Sequence, residues 1–246
     1  MAGLRIERDG PILRVTLAKP ERHNAFDAEL IRELYETFSD VGDARAVVVA
    51  GDGPSFCAGA DVEWQRAAVE LSYEENVEDA LRLYRMLEAI DTCPAPVVGR
   101  IHGYALGGGS GVAACLDVGI ASKDAVFGFS EVKLGIIPAV VSPFVLPRIG
   151  EAARRYFLTG ERFDAETALR IGLVSEVTND LDVAVERVIG ELLTSGPEAV
   201  REAKQLVRQR PGGDEAAQIA ARLRSGAEGQ DGLRAFLDRR KPAWMD

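Results

Sequence analysis

An uncharged run from Ile101 to Leu116, holding five glycines and one histidine, restricts the fold more than any other part of the chain. Val97–Ile101 leads into it as a β-branched strand. Gly103-Tyr104-Ala105-Leu106-Gly107-Gly108-Gly109 follows, and a helix of small residues runs on through Ala114. A segment this apolar has to be buried, yet it is shorter than the roughly 18–20 apolar residues that span a bilayer. The other uncharged run, Leu134–Pro147, is short and broken by three prolines. The expected unit is a strand, a glycine turn and a helix inside a globular domain.

Similar units precede and follow it. Leu4–Glu7 and Ile12–Leu17 read as strands of a hairpin around Asp9-Gly10-Pro11, and Lys19–Asn24 as a loop. Asp27 is placed as an N-cap, with Leu30, Leu34 and Phe38 recurring at helical spacing. Ala46–Ala50 is a short buried strand closed by Gly51-Asp52-Gly53-Pro54. The loop Ser55–Ala60 comes next, and Asp61 opens a further helical stretch. Tyr73–Ile90 reads as an amphipathic helix ending before Pro94 and Pro96; Val118–Ala121 and Val126–Phe129 read as strands. Strand and helix alternate with crossover-length connections, so the fold class is α/β with largely parallel pairing. Past Ser142 the chain reads as nearly all helical: Glu151–Leu158, Ala165–Ile171, Val183–Leu193, Glu198–Arg208, Glu215–Leu223 and Leu233–Arg239.

Composition narrows the partners. With 29 basic and 39 acidic residues the chain carries −10, which opposes general binding to nucleic acid or to an anionic membrane. A local cluster of cations can still take a polyanionic ligand. Apolar residues make up 47% of its 246 residues, enough to core one large domain, alone or with a smaller appendage. Cys57, Cys93 and Cys115 are too few and too scattered for a disulfide framework or a thiolate metal cage. Reduced thiols and the absence of a recognisable leader fit a cytoplasmic protein.

Two strand-to-helix loops carry the chemistry. A helix start exposes unpaired N–H groups at the positive end of its dipole, and glycine lets an oxygen come close. Leu106-Gly107-Gly108-Gly109-Ser110 therefore suits an anion or a developing oxyanion. The same glycines also suit a tight turn packed on a strand. The run is neither a dinucleotide fingerprint nor a P-loop, because G-x-G-x-x-G and Gly-Lys-Ser/Thr are both absent here. Ser55-Phe56-Cys57-Ala58-Gly59-Ala60-Asp61-Val62 is a second small-residue loop of this kind. Each loop can supply one N–H to a single oxygen.

With these pieces in view the chain resembles the enoyl-CoA hydratase/isomerase, or crotonase, family. The matching motifs are Pro20-Glu21-Arg22-His23-Asn24-Ala25-Phe26, Phe56-Cys57-Ala58-Gly59-Ala60-Asp61, Gly103 to Gly109, and Phe129-Ser130-Glu131-Val132-Lys133-Leu134-Gly135-Ile136-Ile137-Pro138. Gly160, Ala165–Gly172, Val174 and the closing Phe236-Leu237-Asp238-Arg239-Arg240-Lys241-Pro242 add to the match, which covers essentially the whole chain. The resemblance implies a crotonase-like (ClpP/crotonase) spiral of β-β-α units over residues 1–190. A C-terminal helical region, 191–246, would serve trimerisation, giving a homotrimer or a dimer of trimers. It implies an acyl-CoA thioester substrate whose carbonyl is held by the N–H groups of Ala60 and Gly108. Coenzyme A comes as part of the substrate; no cofactor is held permanently and no metal is required. Arg22, His23, Ala58, Arg239 and Lys241 stand where relatives contact coenzyme A, the last two often across a subunit boundary.

The acid–base residue is expected at Glu131, which the family's hydratases share. Its place between apolar segments should raise its pKa towards neutrality; pairing with Lys133 or capping a turn is the structural alternative. Those hydratases carry another Glu at the position of Gly111, and here that side chain is missing. Family members that work with the single Glu include Δ3,Δ2-enoyl-CoA isomerases and bacterial hydratases resembling methylglutaconyl-CoA hydratase. The stretch from Ser130 to Phe144, with Gly109-Ser110-Gly111, looks most like the latter, so hydration of a 2-enoyl-CoA is the favoured activity. The isomerase reaction, or a catalytically silent acyl-CoA-binding paralogue, is the alternative. His102, Asp61 and Asp117 read as structural, Cys57 and Cys115 as small buried residues. Trp64, Tyr73 and Tyr84 fall where relatives shape the acyl pocket, and helical packing is their default.

Overall fold

The computed structural model describes residues 3–245. β1 (Leu4–Asp9) and β2 (Ile12–Leu17) form the expected antiparallel hairpin. α1 (Ala28–Ser39) starts at Asp27, whose side chain accepts the Leu30 N–H at 2.8 Å. β3 (Ala46–Gly51), α2 (Val62–Ala68), α3 (Tyr73–Thr92), β4 (Val97–Ile101), β5 (Tyr104–Leu106), α4 (Gly108–Cys115), β6 (Val118–Ser122) and β7 (Val126–Gly128) follow. The later part comprises α5 (Ser142–Ile149), α6 (Ala153–Thr159), β8 (Arg162–Asp164), α7 (Ala165–Arg170), β9 (Glu176–Thr178), α8 (Leu181–Thr194), α9 (Pro197–Gln209), α10 (Gly213–Ser225) and α11 (Ala227–Asp238).

The strands build two sheets. One has the order β1-β2-β3-β4-β6-β9 and is parallel beyond its first pair; the other, β5-β7-β8, lies beside it. β3 is apolar throughout because both of its faces are covered. Val47 and Val49 enter the larger core, while Ala46 and Val48 face the smaller one with Leu181, Val185 and Ile189 of α8. The division expected between residues 190 and 191 thus falls inside α8, a helix packed on the sheet. The chain leaves the sheet only at the Ser195 and Gly196 cap positions.

α9 is held to the core by one buried cation. Lys204 Nζ lies 2.7 Å from Asp117 Oδ2 and donates to the Ala95 carbonyl at 3.2 Å. The same Asp117 oxygen accepts the Val97 N–H at 2.7 Å, so Asp117 fixes the start of β4 as well. Its structural reading holds. No helix among the described residues is long and apolar enough to cross a membrane.

Candidate active site

The loop after β3 runs beside β5 and takes its shape from it. Cys57 N–H donates to the Tyr104 carbonyl at 2.9 Å, and Leu106 N–H to the Cys57 carbonyl at 3.0 Å. On its other edge Phe26 N–H donates to Gly59 O at 2.7 Å and Asp61 N–H to Phe26 O at 2.8 Å. This pairing skips Ala60, whose N–H therefore points the other way and makes no internal hydrogen bond among the described residues. Gly59 holds φ +96°, a conformation that disfavours any side chain, and a Cβ there would stand 2.9 Å from the Leu106 carbonyl.

The glycine turn supplies the second donor. Gly107, at φ +51°, donates to Gly128 O at 2.8 Å, and buried Ser110 Oγ donates to Ala105 O at 2.6 Å. These bonds fix where α4 starts. Gly108 is its first residue, and its N–H is one of the orphan donors of a helix start, without an internal partner. Gly108 lies against the Phe26 ring, with 3.0 Å from a would-be Cβ to the ring carbons. Ala60, Gly108 and Glu131 line one cavity of about 420 Å³. A larger hollow, about 660 Å³, lies between α1 and α3. Its Arg85 and Arg82 pair with Glu78 and its Arg32 with Glu36, and Glu131 and the glycine turn lie outside it.

Glu131 opens a short 3-10 turn, Glu131–Leu134. Its Oε1 would be 3.4 Å from a Cβ at Gly107, so the carboxylate stands directly beside the glycine turn. Its Oε2 is buried without a hydrogen-bond partner, and no cation pairs with it among the described residues. Desolvation raises its pKa, opposed in part by its own backbone N–H. Pairing with Lys133 is not what the side chain does.

The raised pKa has a sign that can be measured. Below the ordinary carboxylate pKa, Glu131 is protonated folded or unfolded and its contribution to stability is fully present. That contribution is lost as pH rises through the raised folded value, because the buried group must then ionise. Glu131→Gln should therefore be more stable than the parent at neutral pH and equal to it at pH about 3, below the ordinary carboxylate range. Urea melts at the two pH values decide this; an equal stability difference at both would contradict it.

Gly111 is buried in α4, and a Cβ there would lie 2.6 Å from Val141 Cγ1 and 3.6 Å from Leu87 Cδ1. Val141 also lines the cavity. The space of the missing carboxylate is occupied by a packed valine. Gly111→Glu alone should cost about 1–3 kcal/mol by overpacking and should not raise turnover. Adding Val141→Ala should recover at least half of that loss in a thermal melt. Full stability of the single variant would show that the space is open after all.

The remaining candidates separate clearly. Asp61 caps α2, accepting Glu63 N–H at 2.8 Å, and its other oxygen lies 3.1 Å from Arg22 Nη1. His23 Nδ1 is 2.8 Å from Ser55 Oγ and the residue is exposed. Ala58 lines the cavity, its N–H donating to His23 O at 2.9 Å. Arg239 closes α11 at φ 55°; it and Lys241 are exposed and line no part of this chain's cavity. His102 Nε2 meets Gly53 O at 2.8 Å, outside the cavity. Burial pushes the Cys57 thiol up to about 12, so it is no nucleophile. Tyr73 is exposed, and Tyr84 packs on Phe144 and donates to Glu88. Trp64 does line the cavity. Asp79, Arg162 and Val141 also line it, and no sequence motif had singled out the first two.

A protein-family model described as enoyl-CoA hydratase/isomerase matches residues 7–246. A crotonyl-CoA hydratase of Syntrophomonas wolfei is 30% identical, covering 96% of this chain and 95% of the relative. Among solved structures, an enoyl-CoA hydratase of Shewanella pealeana superposes with a TM-score of 0.94 at 36% identity, covering 98% and 96% of the two chains. AtuE of Pseudomonas aeruginosa gives 0.94 and 36%, over 99% and 100%. The expected crotonase-like α/β architecture is thereby borne out. Two free amides from two loops, one desolvated carboxylate and these likenesses lead to one statement: the chain belongs to the enoyl-CoA hydratase/isomerase family, whose members act on acyl-CoA thioesters.

Proposed function

We propose that this protein is an enoyl-CoA hydratase, a lyase that adds water across the 2,3 double bond of an enoyl-CoA. The single observation that carries the reading is Glu131: a desolvated carboxylate with a free oxygen, beside the turn that presents Gly108. Glu131 takes a proton from water as the water oxygen bonds to Cβ. The π electrons move through Cα to the thioester oxygen, which Ala60 and Gly108 N–H groups hold as an enolate. Cα then takes the proton from the Glu131 carboxyl, the carbonyl re-forms, and the carboxylate is restored. One group can do both transfers, so an empty second-acid position is compatible with hydration.

The same single acid also suits proton shuttling between two carbons, and Gly111 is the observation that keeps an isomerase reading in play. Short 2-enoyl-CoA and 3-enoyl-CoA, each in isotopically labelled water, separate the two. Hydration predicts loss of the conjugated double bond with labelled oxygen in the product. Bond migration without label would replace the hydratase reading, and binding without turnover would make the chain a silent paralogue. In the proposed complex coenzyme A lies along Arg22, His23 and Ala58. Arg239 and Lys241 reach its phosphates from a neighbouring subunit of a homotrimer, or of a dimer of trimers, assembled through the C-terminal helices.

A further inference from the structure

The cavity contains a second carboxylate that the reaction above does not use. Asp79 lies on α3, on the same face as Asn76 and Leu83, which also line the cavity. Its Oδ1 accepts the Trp64 Nε1 hydrogen at 3.2 Å. Its Oδ2 makes no hydrogen bond, and no Lys, Arg or His pairs with Asp79 among the described residues. Half-buried and held by an indole, this is a positioned acceptor with one oxygen left to offer.

Its relation to the reacting atoms is that of a shared cavity. Ala58, bonded to the His23 loop, precedes Ala60, and α2 and α3 come after it. Asp79 and Ala60 line the same cavity, so the acyl chain of a thioester held at Ala60 has the α2–α3 wall within its reach. There Ala68, Ala80 and Leu83 are apolar, and Asp79 is the charged exception. A plain hydrocarbon laid on this wall would strip water from the carboxylate and return no hydrogen bond. An acyl carboxylate set against Asp79 would add like-charge repulsion, because the cavity's Arg162 makes no ion pair with Asp79. A cationic end would meet two unpaired carboxylates in one cavity, and at Glu131 it would block the base. A hydroxyl has none of these costs and supplies the missing donor.

We propose that Asp79 is a specificity-determining residue that selects acyl-CoA thioesters carrying a hydroxyl on the acyl chain. The assignment rests on the acyl-CoA reading of the cavity, so its test uses saturated acyl-CoAs, which bind but cannot react. Calorimetry would compare the butanoyl, hexanoyl and octanoyl thioesters with their terminal hydroxyl and terminal carboxyl counterparts. At one of these lengths the hydroxyl form should bind about tenfold tighter than the methyl form, a factor worth about 1.4 kcal/mol. The carboxyl form should bind weakest. Asp79→Leu should reverse the order of hydroxyl and methyl. Trp64→Phe, which keeps the carboxylate but frees it, should shrink the preference, and guards against misfolding of the first variant. Equal binding of hydroxyl and methyl forms at all three lengths, or a hydroxyl preference that survives in Asp79→Leu, would overturn the proposal. Failure of every thioester to bind would instead remove the substrate class, and Asp79's role with it.

Discussion

Glu131→Gln is expected to lower kcat for hydration of a short 2-enoyl-CoA by about 10³–10⁴-fold, the upper part of the range for a positioned acid–base group. The upper part applies because Glu131 performs both proton transfers and the cavity has no acid at Gly111 to take over either one. Glutamine keeps the shape of the side chain and removes only its ability to exchange a proton. Binding of a saturated acyl-CoA should therefore stay within about threefold of the parent, since the Gln side chain fills the same place beside Gly107. The activity of the parent should fall as acid protonates Glu131, with a midpoint above the usual carboxylate range because burial disfavours its charged form. Turnover near the parent's in Glu131→Gln would take the base away from Glu131.

Removing a single donor tests the other half of the site. Replacing the amide of Ala60 or of Gly108 by an ester deletes one N–H and leaves the side chain as it is. Neither N–H is used within the fold, so the loss of stability should be limited to the weaker acceptor that each ester makes of the preceding carbonyl, Gly59 O for Phe26 N–H or Gly107 O for Gly111 N–H. Each ester should lower kcat by about 10²–10³-fold, or ~3 kcal/mol of transition-state stabilisation, the usual worth of one oxyanion donor. An ester at Asp61 is the control. Its N–H bonds to Phe26 O at 2.8 Å, so that change should show in stability first. If the Ala60 and Gly108 esters keep full kcat, the oxygen is held elsewhere.

Much of this was legible in the sequence because the signals were physical and local. β3 and β4 are runs of β-branched residues buried on both faces, and Asp27 and Asp61 cap helices as their spacing suggests. The two loops could be paired because each lies between a strand and a helix. What escaped was short or distant. β5, β8 and β9 have three residues each, too few for alternation to show, and they look helical or loop-like in isolation. α5 was hidden by its prolines, although Pro143 sits in the first turn, where proline is favoured. α10 and α11 begin earlier than expected, since their first turns carry no apolar periodicity. Gly111 was visible as a loss, but its compensation by Val141, thirty residues away, is a packing fact that no spacing rule reveals. Asp79 is one of several acids on α3, and only its bond to Trp64 and the cavity single it out.

The most direct test of the account is a crystal structure with a saturated acyl-CoA bound. The thioester oxygen should lie about 2.7–3.1 Å from the backbone nitrogens of both Ala60 and Gly108. A Glu131 oxygen should lie within about 3.5 Å of Cβ, or reach it through one water. A thioester oxygen bound to any other group, or a Cβ turned away from Glu131, would contradict it.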